Sequence, residues 1–162
     1  MKKIQPLHLV LGGAGLIILG AFLPWASVSI NFAGQSTSQS TNGIDGDGDG
    51  KITLMFGAAA LVLTLLKNPG QTKLFALIAL IASALATLIG LYDASRIGGN
   101  SEANSIMAAA GDAFKVSLGI GIYLTIIGGA AATVGSWMRW KSAPTPQPPA
   151  QPPAMPPAPP QI

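Results

Sequence analysis

Apolar residues gather into four long runs, at about 7–25, 52–66, 74–92 and 116–138, with polar stretches between them. Runs approaching about 20 residues read as membrane-spanning helices. The second run, Ile52 to Leu66, is the shortest; as a helix its roughly 15 residues rise about 22 Å, short of a hydrocarbon core of about 30 Å. Starting that helix in the preceding acidic loop and letting Lys67 snorkel at its other end closes the gap. Lys2 and Lys3 before the first run raise the alternative of a signal peptide. No small-x-small cleavage site follows, because Pro24 and Trp25 occupy its place, so an uncleaved first span is expected. Trp25 then belongs at the outer interface.

The polar stretches have patterns of their own. Ala26 to Phe32 alternates small or polar residues with apolar ones, the period of a strand. Gly34 is placed to turn it into a second, weaker strand over Ser36–Thr41, making a small outer β-hairpin; a Ser/Thr-rich loop is the other reading of the same composition. Lys67 to Lys73 is a tight turn with a base at each end. Residues 93–115 hold Asp93, Arg96, Glu102, Asp112 and Lys115 around an alanine-rich patch suited to a short surface helix. From Pro144 the chain is Pro, Ala and Gln without charge, a composition that buries no core and favours extended, polyproline-like backbone. It reads either as a solvated tail or as a ligand for an aromatic groove.

Together these features predict an all-α membrane protein. Residues 1–142 form a four-transmembrane-helix bundle with a small outer loop or β-hairpin, and residues 143–162 a disordered Pro-rich cytoplasmic tail. Composition agrees: 9% of residues are charged and 49% hydrophobic, against about 25% charged in soluble domains. With the N-terminus inside, Lys2, Lys3, Lys67, Lys73, Arg139 and Lys141 face the cytoplasm, and Lys51, Arg96 and Lys115 lie outside. That bias follows the positive-inside rule. The expected location is a cell membrane, inner or plasma, crossed several times with both termini cytoplasmic. All six acids fall outside in this arrangement. The net charge of +3 comes from bases at segment ends, not from one basic face, so nucleic acid is not an expected partner. The bilayer is, together with further copies of the chain or another membrane protein.

Small residues recur on the apolar runs: Ala82, Ala86 and Gly90 at spacing four, and Gly121, Gly128 and Gly135 at spacing seven. Such stripes let helices approach closely in lipid. They suit tight packing within one bundle, and equally a pore or moving interface. His8, the only histidine, falls on the cytoplasmic side and the acids on the other, so no nucleophile, base and orienting acid assemble and no enzyme is expected. Cysteine is absent, which excludes disulfides and thiolate metal sites.

Chemistry concentrates in one stretch. Asp45, Asp47 and Asp49 alternate with Gly46, Gly48 and Gly50, so half of the chain's acids fall within five positions. Asp45 to Thr53 resembles the calcium loop of EF-hand and dockerin-type proteins. The resemblance implies side-chain oxygens from Asp45, Asp47 and Asp49, the carbonyl of Lys51, Gly50 as the turn glycine, and Thr53 acting through water. Phe56 stands where that family has a bidentate acid, so the loop is incomplete. An acid of the other outer loop, Asp112 first and Glu102 second, is expected to reach across and complete it. Weak, millimolar calcium binding is one expectation; an acidic turn that complements the start of the next helix is the other.

Phe22-Leu23-Pro24-Trp25, Gly43 to Gly48 running into Ile52-Thr53-Leu54, and Gly119 to Leu124 are similar to small, uncharacterised four-span bacterial membrane proteins. That resemblance covers residues 7–140 and implies a prokaryotic membrane, without an activity. Claudin-like topology is also similar, but the paired outer cysteines of that family are missing and nothing functional carries over. The expected role is structural or partner-binding, with an acidic, calcium-binding extracytoplasmic loop. The alternative is a small transport or pore-forming component acting as an oligomer.

Overall fold

The computed structural model describes residues 5–32, 34–45, 49–66, 72–99 and 114–144. Among these residues four helices and three strands follow in the order α1 (Pro6–Phe22), β1 (Pro24–Phe32), β2 (Gln35–Asn42), α2 (Asp49–Leu65), α3 (Thr72–Gly99), β3 (Phe114–Leu118) and α4 (Ile120–Ser142). Pro6 opens α1, where its missing N–H costs nothing, and Pro24 stops the helix by forcing the residue before it into extended backbone.

The three strands form one antiparallel sheet in the order β2-β1-β3. β1 and β2 are joined across Ala33-Gly34, and Gly34 takes the left-handed φ of +82° that such a short connection needs. At the other end of the pair the register shifts between Pro24 and Ala26, so Trp25 is an extra residue in β1. A bulge of this kind re-aims a side chain, and Trp25 is buried, with its indole Nε1 donating to the Gly20 carbonyl at 2.8 Å. The Trp25 carbonyl in turn accepts from Gly119 N at 2.8 Å, which ties the start of α4 to β1.

The helices pack side by side. α1 lies against α4 and α2, and α3 lies against α4 and α2. Their interior is built mostly from small side chains: Ala14, Ala60 and Ala79 meet in one cluster, and Ala86 and Ala132 pack with Ile17 in another. A close seam runs between α1 and α4. A Cβ at Gly128 would stand 2.6 Å from both the Gly13 carbonyl and Leu16 Cβ, and one at Gly135 would stand 2.8 Å from Val10 Cγ2. Between α3 and α4 the hydroxyls of Thr133 and Ser83 lie 3.1 Å apart.

Two sequence-based expectations are corrected here. The protein is a mixed helix and sheet structure, not an all-α fold, and it is not a four-span bundle. Among the described residues two helices are long and apolar enough to cross a membrane, α3 over Thr72–Ile97 and α4 over Ile120–Ser142. α1 and α2 have 17 residues each, about 25 Å of rise against a hydrocarbon core of about 30 Å. The first and fourth apolar runs overstated their helices because each mixed two kinds of backbone. Pro24 and Trp25, counted in the first run, belong to β1; Val116 to Leu118, counted in the fourth, belong to β3. The third run was understated, since α3 continues past Tyr92 to Gly99. The Pro-rich tail beyond Pro144 lies outside the described residues, as does most of the 93–115 stretch read as a surface helix.

Candidate functional site

The sheet, the start of α2 and the end of α3 meet at one end of the helices. Here Asn42 closes β2 and begins a turn: Asp45 N donates to the Asn42 carbonyl at 3.2 Å, and Asn42 Nδ2 donates to Asp45 Oδ2 at 3.1 Å. Ile44 N reaches back to the Ala21 carbonyl at 3.2 Å, anchoring the turn on α1. Gly43 is buried against Trp25, and a Cβ on it would lie 2.6 Å from the indole. Gly50 lies directly against the Gly43 backbone, which brings the end of the β2 turn and the start of α2 together in a closed neck.

A cleft of about 160 Å³ opens beside this neck, walled by Trp25, Ala26, Thr41, Asn42, Asp49 and Asp93 among others. Asp49 is the first residue of α2, a favourable place for a carboxylate because the helix dipole is positive there. Asp93 arrives from α3 along the helix's buried face, which carries Ala79, Ala86, Gly90 and then Asp93 at helical spacing. Asp93 is 7% exposed, and its Oδ2 has no hydrogen-bond partner among the described residues. The two carboxyl groups are close enough to interact directly, and Arg96 is the cation that bears on them.

The residues singled out from sequence are dispersed. Asp45 is exposed and engaged with Asn42. Asp49 lies in the cleft. Lys51 and Thr53 are inside α2, which begins at the loop's fifth position. The Lys51 carbonyl therefore belongs to the helical hydrogen-bond ladder. Thr53 is fully buried, and its hydroxyl donates to the Gly50 carbonyl at 2.9 Å. Asp47, Glu102 and Asp112 lie outside the described residues. The EF-hand-like ligand set does not fit this backbone at Lys51 and Thr53, and no group of three His, Cys, Asp or Glu side chains able to hold a metal forms among the described residues. Asp93 belongs to the same outer stretch as Asp112 and Glu102, which the sequence ranks ahead of it as the acid that completes the loop, although the stripe of small residues at helical spacing leads straight to Asp93.

The opposite end of the helices is basic and aromatic. Trp137 and Trp140 pack at 5.4 Å between ring centroids, Lys141 Nζ lies 4.7 Å over the Trp137 ring, and Lys73 Nζ lies 5.9 Å over Trp140. Gln5, Pro6 and Leu7 border the same hollow as Arg139 and Pro144, so the first and last described segments share this end. His8 is here too, in α1 and exposed. No family model matches the chain, and no curated protein matches it.

Proposed function

We propose that this is an integral membrane protein with a structural or partner-binding role, anchored by α3 and α4, that presents its three-stranded sheet and acidic turn outside the cytoplasm. The observation that carries the reading is the distribution of side chains. Most buried positions are small or hydroxylated, such as Ala60, Ala79, Ala86, Ser83, Thr125 and Ser136, while Leu74, Ile81, Leu85, Leu88, Ile127 and Val134 face outward. Water would drive the large apolar side chains in and leave the serines out; lipid reverses that preference and rewards close packing of small residues. α1 and α2 continue the apolar surface with Leu19, Phe22, Met55, Val62 and Leu65.

The ends of the helices suggest the orientation. Lys73, Arg139, Lys141 and the tryptophan pair mark one end, where positive charge and interfacial aromatic rings favour the cytoplasmic boundary of a bacterial inner or plasma membrane. The first and last described segments lie there. The sheet stands at the other end, with β2 exposed along its length and its outer edge unpaired among the described residues. An open edge with Gln, Ser and Thr side chains suits main-chain pairing with another protein. Nothing in this reading requires catalysis.

A second reading, a small transport component acting as an oligomer, is favoured by one observation: Asp93 is an acid inside a helix apolar enough to span lipid, and such residues mark ion paths by default. The two readings part on a pair of measurements. A photo-reactive side chain at Ser38 should give a discrete cross-linked adduct in intact cells under the first reading, with no ion flux from reconstituted liposomes. Flux that Asp93→Asn abolishes, without an adduct, would select the second.

A further inference from the structure

Two carboxylates that share one cleft, one of them buried with an oxygen that has no partner among the described residues, form an incomplete arrangement. A buried carboxylate oxygen without a partner carries a desolvation cost, and a second carboxylate beside it adds repulsion. The Arg96 charge acts on Asp93 only through space. Its guanidinium stacks over Tyr92, 5.7 Å from the ring centroid, and makes no hydrogen bond to Asp93 Oδ2.

We propose that the cleft between the start of α2 and the end of α3 is a site for a hard divalent cation, calcium by ligand chemistry, held between the carboxylates of Asp49 and Asp93. The donors are all oxygens. Two carboxylates offer up to four, and Asn42, whose amide nitrogen is committed to Asp45, keeps its carbonyl oxygen as a further neutral ligand on the same wall. Calcium takes six to eight oxygens and accepts water in the remainder. A cleft of about 160 Å³ holds an ion and several waters, each water needing about 30 Å³. An oxygen set without nitrogen or sulfur discriminates against zinc and copper.

The site differs from the ligand set that the loop's resemblance implies, because it uses Asp93 of another helix and neither Lys51 nor Thr53. It goes beyond the anchoring role and does not depend on it. The bound ion also acts mechanically, since bridging Asp49 to Asp93 clamps α2 to α3 beneath the sheet.

The test uses the full-length protein in detergent, with terbium(III) as a luminescent stand-in for calcium. Trp25 walls the cleft, whereas Trp137 and Trp140 sit near the far end of α4, roughly 25 Å away. Tryptophan-sensitised terbium emission therefore reports this end of the molecule. The expected result is saturable emission displaced by calcium, weakened more than about tenfold by Asp93→Asn and by Asp49→Asn, and retained in Asp45→Asn. Calcium should also raise the melting temperature of the wild type, through preferential binding to the folded form. If Asp93→Asn does not fold, Asp49→Asn at the less buried position makes the same test. Unchanged terbium affinity in Asp49→Asn or in Asp93→Asn overturns the site, as does loss of emission in Asp45→Asn alone. Absence of both emission and calcium stabilisation in the wild type overturns it as well.

Discussion

The backbones of Gly43 and Gly50 are in direct contact, and a Cβ added to Gly50 would collide with the Gly43 carbonyl. That contact closes the neck of the acidic stretch and holds Asp49 at the cleft. Gly50→Ala must push the two segments apart, and overpacking of this kind costs about 1–3 kcal/mol. The expected outcome is a lower melting temperature in detergent, with weaker terbium emission in the same sample. A melting temperature equal to that of the wild type would show that the neck is open.

The seam between α1 and α4 makes a sharper contrast within one helix. A Cβ at Gly13 would lie 2.5 Å from Ala132 N, whereas nothing lies within 4 Å of one at Gly12. Gly13→Ala should destabilise the fold by about 1–3 kcal/mol through overpacking. Gly12→Ala should stabilise it by about 0.5–1 kcal/mol through helix propensity alone. Thermal unfolding of the two variants side by side decides this, and equal effects would contradict the seam.

Helix positions were largely legible from hydropathy, and β1 from the alternation along Ala26–Phe32. The third strand was not, for a physical reason. Phe114 to Leu118 alternates as a strand should, but only Gly119 separates it from the apolar run of α4, so a hydropathy window merges the two. The geometry at Gly119 shows why backbone changes there: a Cβ at that position would collide with the Pro24 backbone, so the chain passes tightly between β1 and α4. Helix length was misjudged for the same reason at Pro24 and Trp25, where an indole that looks like an interfacial anchor is instead buried beneath a bulge. Of the site, Asp49 was legible as one acid in an alternating set. Asp93 was legible only as one of three acids of the second outer stretch, behind Asp112 and Glu102, because its partner comes from across the fold and an isolated acid after an apolar run reads as a boundary.

Trp25 carries a second prediction about that bulge. Trp25→Phe keeps an aromatic ring but leaves the Gly20 carbonyl without its indole donor. Leu23 N still donates to that carbonyl at 3.2 Å, so losing the indole bond costs about 0.5–1.5 kcal/mol. Near-ultraviolet circular dichroism and thermal unfolding should register both the lost indole and the lower stability. Wild-type stability would mean that the hydrogen bond contributes nothing.

Ser83 and Thr133 link α3 to α4 through hydroxyls 3.1 Å apart. A double-mutant cycle of Ser83→Ala and Thr133→Val should return a coupling of about 0.6 kcal/mol, the usual scale for hydroxyl contacts between helices in lipid. Strict additivity of the two substitutions would remove this link.

Everything proposed for the anchoring role requires α3 and α4 to cross a membrane with the sheet on the side opposite the basic, aromatic end. The chain has no cysteine, so single cysteines report position without background. Ser38 is exposed on β2, and Ser142 is exposed at the end of α4. In intact cells or spheroplasts, an impermeant thiol reagent should label Ser38→Cys at once and Ser142→Cys only after the membrane is opened. Equal labelling of both positions in sealed cells, or labelling of Ser142→Cys alone, would contradict the membrane orientation.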